Sequence, residues 1–212
     1  MHWIEWGLAN VRENPMQWIA TITGIVSVYL SARENIWSWP TAIVNVVLSM
    51  FIYFESGLYS DAGLQIFYLV ISIYGWYEWL HGGANHSVLH VSRANKKVWL
   101  LAAGVGVPFW LLLAWVVSHA KGASLPFLDA GLATVSIIAQ VMMTRKILEN
   151  WVLWILADIV YVPMLLYKKI YPFAGLNAVF LALAVIGLVE WRRSYQRDHA
   201  AAPSPQPAPT PA

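Results

Sequence analysis

The sequence contains no cysteine and very little charge. Without Cys, disulfides and Cys-ligated metal sites are excluded. Charged residues make up 11% of the chain, against roughly 25% in soluble globular proteins, while 59% of the residues are apolar. So few charges cannot coat a water-facing surface, and the apolar residues fall in long runs. The composition therefore predicts an integral membrane protein whose main surroundings are the lipid bilayer.

The sequence also lacks the motifs of several kinds of catalytic and nucleotide-binding site. The chain has no phosphate-binding glycine loop, no His-Glu-x-x-His motif and no Gly-x-Ser-x-Gly motif. None of its six His residues lies within a long apolar segment. The formal net charge is only +2, and the basic residues stand in short loops, which argues against nucleic acid as a partner. We therefore expect a protein that is not an enzyme and that uses neither a metal nor a cofactor.

Seven segments are long and charge-poor enough to cross about 30 Å of hydrocarbon as helices. They cover residues 15–32, 37–54, 62–80, 98–118, 127–144, 150–167 and 173–191. The loops on one side hold nine basic residues: Arg33, Arg93, Lys96, Lys97, Arg145, Lys146, Arg192, Arg193 and Arg197. The other side holds Arg12, Lys121, Lys168 and Lys169. Because cytoplasmic loops carry the excess of Lys and Arg, this predicts an outside N-terminus and a cytoplasmic C-terminus.

Two stretches of the chain repeat each other. YSDAGLQIFYLVISIYGWYEW (59–79) and YPFAGLNAVFLALAVIGLVEW (171–191) agree at an offset of 112 in Tyr, Ala-Gly-Leu, a later Leu, Gly and Glu-Trp. Upstream, an offset of 113 pairs Asn45 with Asp158. Two three-helix units separated by one helix enter the membrane in the same direction, and such parallel repeats favour a site at their interface. Chance similarity between apolar helices is the alternative.

The repeat defines the predicted fold class: an all-α integral membrane protein of seven transmembrane helices, arranged as two parallel three-helix repeats joined by a linker helix. The predicted parts are an N-terminal segment (1–14), a first bundle with its following loop (15–97), linker helix and loop (98–126), a second bundle (127–197) and a tail (198–212). The tail is rich in Pro and Ala, has nothing to bury and is predicted to be disordered.

Polar side chains within the spans mark the candidate site. A charged residue at a helix centre costs about 2.5–3.5 kcal/mol, and Asp158 is the one acid near the middle of a span. The candidate substrate-binding residues are Asn45, Gln65, Tyr68, Trp76, Trp154, Asp158, Tyr161 and Asn177. The alternative is that such residues hold helices together through interhelical hydrogen bonds. Trp37, Trp39 and Trp99 stand at span ends, which is typical of interfacial anchors.

The run NIWSWPTAIVNVVLSMFIYFESGLYSDAGLQIFYLVISIYGWYEW, with its Gly-Leu-Gln-x-x-Tyr start to the third span and its Ile-Tyr-Gly-Trp-Tyr-x-Trp close, resembles the bacterial PnuC-type nicotinamide riboside transporters. The later run ADIVYVPMLLYKKIYPFAGLNAVFLALAVIGLVEWRR resembles the last two spans of that family. The resemblance implies a fold like full-length SWEET transporters, location in the bacterial cytoplasmic membrane and a homo-oligomer such as a trimer. It also implies uptake of nicotinamide riboside by facilitated diffusion, with cytoplasmic phosphorylation trapping the product.

The chemistry of nicotinamide riboside suits the candidate residues. Its flat pyridinium cation fits an aromatic face, as Trp154, Tyr68 or Tyr161 would supply, at about 2 kcal/mol when desolvated. Amide side chains can bind its carboxamide and ribose, and Asp158 can offset its charge. The alternatives are a related transporter of riboflavin, thiamin or a sugar, a proton-coupled variant, and a membrane protein without transport activity, such as a sensor.

Overall fold

The computed structural model describes residues 14–55, 57, 59–119, 125–167, 169 and 171–200. Within them lie seven α-helices: α1 (Pro15–Ala32), α2 (Ser38–Glu55), α3 (Tyr59–His81), α4 (Lys96–Ser118), α5 (Pro126–Thr144), α6 (Asn150–Tyr167) and α7 (Tyr171–Ala200). Each contains or nearly coincides with one predicted segment. The N-terminal segment up to residue 13 and the tail from residue 201 lie outside the described residues.

The end of α7 differs from the prediction. Residues 198–200 were expected to open the disordered tail, but they continue the helix to Ala200. The first proline of the tail is Pro203, and proline disfavours helix only from the residue before it. Arg197 and His199 stand in the last turn, where positive charge interacts favourably with the helix dipole.

Five of the seven helices, α2 and α4 to α7, are by length and composition candidate membrane spans. α1 and α3 are not apolar enough to be counted among these candidates, because polar and aromatic side chains lower their mean hydropathy. In α1, the hydroxyls of Thr21 and Thr23 donate to the carbonyl oxygens of Gln17 and Ile19, which satisfies them within the helix. The chain is thus an all-helical membrane protein, and seven crossings stay a prediction.

The helices pack in two similar groups. α2 packs against both α1 and α3, and α6 packs against both α5 and α7. Between the groups, α1 contacts α7 and α3 contacts α5. In the repeat, α1 corresponds to α5 and α3 corresponds to α7. The contact of α1 with α7 is therefore equivalent to the contact of α5 with α3, as a parallel repeat requires. α4 packs against α5. We refer to α1–α3 and α5–α7 as the first and second bundles.

Four tryptophans form the core where the bundles meet. The rings of Trp39 and Trp79 lie edge to face with centroids 5.3 Å apart, and Trp151 and Trp191 do the same at 5.5 Å. Trp79 and Trp191 contact each other across the interface at 5.8 Å. Trp39 is only 2% exposed, so its assignment as an interfacial anchor was wrong, because α3 packs over it at Gly75 and Trp79.

Glycine makes room for two of these rings. A Cβ on Gly75 would clash with the indole of Trp39, and one on Gly187 would lie 2.5 Å from Trp151. Both glycines belong to the 112-residue repeat. The repeated Gly is therefore the residue that lets α3 approach α2, and α7 approach α6, over a tryptophan.

Candidate substrate cavity

A cavity of about 390 Å³ lies between the two bundles, within the range of roughly 300–1,000 Å³ that small-molecule sites occupy. Seven of the eight candidate residues line it: Asn45, Gln65, Tyr68, Trp154, Asp158, Tyr161 and Asn177. Trp76 is not among its lining residues and is 38% exposed on the outer surface of α3. The sequence pattern therefore identified residues of one cavity that come from both repeats.

Asn45 holds α1 and α2 together. Its Nδ2 donates to the carbonyl oxygen of Ala20 at 2.6 Å. A Cβ on Gly24 would stand 3.1 Å from the same nitrogen, so the amide lies closely over α1. This is the helix-packing role that small polar residues often have in membranes. One N–H and the side-chain oxygen of Asn45 are left for a ligand.

Gln65 and Asn177, which replace each other in the repeat, differ in their hydrogen bonding. The Nδ2 of Asn177 donates to the carbonyl oxygen of Phe173, one turn earlier in α7, at 2.9 Å. The Gln65 amide forms no side-chain hydrogen bond within the described part of the chain. Gln65 therefore keeps its full set of donors and acceptors, and the two repeats present unequal polar groups to the cavity.

Other lining residues were not predicted as site residues, among them Trp39, Tyr53, Gln140, Trp151 and Phe180. Gln140 could have been found, because it is a polar residue near the end of a predicted span. Trp39 and Trp151 were hidden by their position at the first turn of a helix, which is also where interfacial anchors stand.

The structure also corrects the upstream register of the repeat. The turns after α1 and α5 place Glu34 and Lys146 at positive φ, 54° and 47°, and these residues are 112 apart. The same offset relates Trp39 to Trp151. Asn45 is therefore equivalent to Ala157 rather than to Asp158, and the two polar residues occupy the cavity at non-equivalent positions.

Three indole N–H groups in the cavity wall lack a hydrogen-bond partner among the described residues: those of Trp39, Trp151 and Trp154. Buried donors are paired in most structures. The three nitrogens are themselves buried, so an acceptor atom of a bound molecule, such as a carboxamide or ribose oxygen, can reach them only if the cavity wall moves.

Asp158 is the single charged residue among the described lining residues. It is 5% exposed, and no ion pair within the described chain involves it. Trp154 and Tyr161 precede and follow it by about one turn, and both also line the cavity. An unpaired buried carboxylate is costly, so its surroundings favour a cation or a proton close to it.

Two equivalent hydrogen bonds join the bundles at one end of the cavity. The Nε1 of Trp79 donates to the carbonyl oxygen of Met143 at 3.0 Å, and that of Trp191 donates to Ser31 at 2.9 Å. Met143 and Ser31 themselves line the cavity. Each bundle therefore binds the first helix of the other through its repeated tryptophan. We call these two hydrogen bonds the indole latch.

Ion pairs lie at the same end. Glu78 and Glu190, which precede the latch tryptophans, pair with Arg145 at 2.8 Å and Arg33 at 3.8 Å. The two arginines are equivalent in the repeat, as are the two glutamates. These pairs join the bundles at the end that the distribution of Lys and Arg predicts to be cytoplasmic.

A buried ion pair lies between the two repeated turns. Lys146 Nζ is 3.0 Å from Glu34 Oε2, and its side chain is 6% exposed. The same ammonium lies 4.7 Å from the centroid of the Trp79 ring. This pair therefore adds a charge-based contact beside the indole latch.

The segment between α3 and α4 also contacts the second bundle near the indole latch. Ser92 exchanges two backbone hydrogen bonds with the turn before α6, from its N–H to Lys146 O at 2.9 Å and from Leu148 N–H to its carbonyl oxygen at 2.8 Å. Glu149 accepts from Arg93 Nε at 3.0 Å and from the N–H of Ala94 at 2.8 Å. The first bundle is thereby tied to the second by the chain that leads into α4.

Comparison with known proteins agrees with this geometry. The family model described as nicotinamide mononucleotide transporter matches residues 14–193. The nicotinamide riboside transporter PnuC of Escherichia coli (strain K12) is 25% identical over 201 residues, covering 83% of this chain and 84% of that protein. The riboflavin/roseoflavin transporter RibM of Streptomyces davaonensis is 28% identical over 186 residues, covering 85% of each.

A solved structure described as the crystal structure of the vitamin B3 transporter PnuC matches with a TM-score of 0.69 and 22% identity, covering 90% of this chain and 87% of the other. This likeness shows the fold. Together with the match over residues 14–193, it shows that the chain belongs to the nicotinamide mononucleotide transporter family, the PnuC-type transporters, and is a membrane transporter rather than an enzyme.

Proposed function

We propose that this chain imports nicotinamide riboside, with the cavity between the two bundles as its binding site. The observation that supports this most strongly is the composition of the cavity wall, which combines aromatic rings, free amide groups and one carboxylate. Nicotinamide riboside offers the matching parts: a flat cationic ring, a carboxamide and a ribose. Tyr68, Trp154 and Tyr161 supply aromatic faces, and Gln65 and Asn177 supply amide hydrogen bonds.

The charge of the cavity favours the nucleoside over its 5′-phosphate. Phosphate groups in proteins are bound by Arg, Lys or backbone N–H clusters. The described lining residues include neither Arg nor Lys. A phosphorylated substrate would place its negative charge in the same small cavity as Asp158. Phosphorylation in the cytoplasm would then prevent return and make uptake one-way.

Transport is proposed to follow alternating access without ion coupling. The indole latch and its ion pairs join the bundles at one end, so release to that side requires the bundles to separate there. Because both latch bonds and both ion pairs obey the repeat, they can break together when one bundle rocks against the other. Pro163 stands inside α6, where it removes one helical hydrogen bond and permits bending.

Flux through purified protein in liposomes tests this proposal. Uptake of nicotinamide riboside should follow its own gradient, be unaffected by imposed proton or sodium gradients, and show counterflow when unlabelled substrate is present inside. An absolute need for a proton gradient would overturn the uniport and assign Asp158 to proton coupling. Absence of flux with intact, folded protein would overturn the substrate assignment.

Riboflavin is the second candidate substrate, because the chain resembles RibM as closely as it resembles PnuC of Escherichia coli. Competition by riboflavin, thiamin and nicotinamide riboside against labelled nicotinamide riboside separates these substrates. Stronger inhibition by riboflavin than by nicotinamide riboside would favour the riboflavin assignment.

The orientation and assembly are proposals as well. We propose that the latch end is cytoplasmic in a bacterial inner membrane, since nine of the basic residues stand on that side, and that the protein is a homo-oligomer, with a trimer as the family resemblance implies. Protease access to a C-terminal tag in right-side-out vesicles tests the orientation. Light scattering of the purified protein tests the assembly.

A further inference from the structure

We propose that Asp158 makes the cavity selective for molecules with a cationic aromatic ring, and that the ring charge, more than the ribose, separates substrates from non-substrates. This inference rests on the proposed function and narrows it to a chemical class. The class includes nicotinamide riboside and thiamin and excludes the neutral ring systems of riboflavin and of reduced nicotinamide riboside.

The first argument is the isolation of the charge. Asp158 is 5% exposed and is the one formally charged side chain among the described lining residues. No described Lys, Arg or His forms an ion pair with it. At about 4 Å and an effective dielectric constant of 20, two opposite unit charges attract strongly compared with the same pair in water. A cation in this cavity is therefore attracted by the Asp158 carboxylate, which no other described charged group neutralises.

The second argument is the position of the charge within the wall. Trp154 lies four residues before Asp158 and Tyr161 three residues after it, on the same side of α6, and all three line the cavity. A flat ring against these aromatic faces thus lies next to the carboxylate. Cation–π attraction and charge attraction both require the ring itself to be positive.

The third argument is the contrast with the other repeat. The position equivalent to Asp158 at the offset of 112 is Val46, which also lines the cavity and is 8% exposed. In the first bundle, the neighbouring residue Asn45 is the polar residue that holds two helices together. Asp158 has no such packing hydrogen bond within the described residues, so its charge is not explained by helix association.

The test compares two ligands that differ in ring charge and little else: nicotinamide riboside, whose pyridinium is cationic, and its reduced dihydropyridine form, which is neutral. Binding to the purified full-length protein is measured by titration for the wild type and for Asp158→Asn, which keeps the shape of the side chain. Asp198→Asn, which removes an acid near the end of α7, is the matched control.

The expected result is that the wild type prefers the cationic ligand by about tenfold or more. Asp158→Asn should lose most of this preference by weakening the cationic ligand alone, while Asp198→Asn should retain it. Equal affinity of the wild type for the two ligands would overturn the inference. A uniform loss of both ligands in Asp158→Asn would also overturn it, because that result indicates a structural role.

Further measurements test the inference if the Asp158→Asn variant does not fold or if nicotinamide riboside does not bind. If Asp158→Asn does not fold, the preference of the wild type between the two forms still decides the question. If nicotinamide riboside does not bind but thiamin binds and depends on Asp158, the proposed substrate is wrong and the selectivity for cationic rings stands. Tight binding of neutral riboflavin that survives in Asp158→Asn would overturn the selectivity itself.

Discussion

The indole N–H of Trp191 donates a hydrogen bond of 2.9 Å to the carbonyl oxygen of Ser31, 160 residues away in the other bundle. The repeat partner of each residue forms the same bond, from Trp79 to Met143 at 3.0 Å. Because both carbonyls belong to cavity-lining residues, the contact that joins the bundles also borders the candidate substrate site. We therefore expect substrate occupancy and separation of the bundles to be coupled at this end.

Loss of one latch bond should loosen the latch end. Trp191→Phe removes the indole donor, which is worth about 0.5–1.5 kcal/mol, so opening should become about 2- to 12-fold more frequent. The chain has no cysteine, and Ser31→Cys therefore supplies a unique thiol and leaves the backbone acceptor in place. Thiol modification should be faster by that factor in the Trp191→Phe background. Trp151→Phe, at a tryptophan of the same core whose N–H has no partner among the described residues, is the control for lost packing, and equal rates for the Trp191→Phe and Trp151→Phe proteins would contradict the latch.

Enlarging a repeated glycine should disrupt core packing. A Cβ on Gly187 would lie 2.5 Å from Trp151, whereas one on Gly175 in the same helix meets nothing within 4 Å. Overpacking typically costs about 1–3 kcal/mol. Gly187→Ala should therefore lower the melting temperature in detergent, and Gly175→Ala should leave it unchanged or raise it slightly. Similar melting temperatures for both variants would show that Trp151 can move without cost.

The pair of Glu34 and Lys146 should respond as a unit. Lys146 is almost fully buried, so Glu34→Gln alone leaves a buried ammonium without its partner and should cost about 1–3 kcal/mol. Replacing both residues, by Glu34→Gln and Lys146→Met, should cost less than the sum of the single changes. Thermal unfolding of the four proteins in this cycle measures the coupling, and additive effects would show that the pair contributes nothing.

Packing and ligand roles should separate between Asn45 and Gln65. Asn45 donates to α1, so Asn45→Ala should lower thermal stability even without substrate, by about 1 kcal/mol. Gln65 has no side-chain bond among the described residues, so Gln65→Ala should weaken nicotinamide riboside binding and leave the ligand-free melting temperature unchanged. Melting curves with and without ligand distinguish the two, and the reverse pattern would exchange the roles.

Most of the fold could be predicted from the sequence, because membrane helices are recognisable by their length and their lack of charged residues. The repeat, with its Ala-Gly-Leu and Glu-Trp matches, also indicated which helices correspond and which polar residues face the same cavity. Periodicity identified Gln65, Tyr68 and Asp158, because a polar side chain within a span is costly in contact with lipid and therefore faces the protein interior.

Burial at helix ends could not be predicted in the same way. Trp39 and Trp37 stand two residues apart at the start of α2, yet one is 2% exposed and the other 63%. What separates them is the approach of α3, permitted by Gly75, and this approach is a property of three helices together. The register error upstream has a similar origin, since the turns with positive φ at Glu34 and Lys146 fix the offset and leave little trace in the residue pattern.

Isothermal titration of the purified protein with nicotinamide riboside, repeated with its 5′-phosphate and with Gln65→Ala, is the most direct measurement. Saturable binding of one nicotinamide riboside per chain is expected, with the phosphate bound at least about tenfold more weakly because no Lys or Arg lines the described cavity. Equal or tighter binding of the phosphate, or nicotinamide riboside binding that Gln65→Ala leaves unchanged, would contradict a nucleoside site in this cavity.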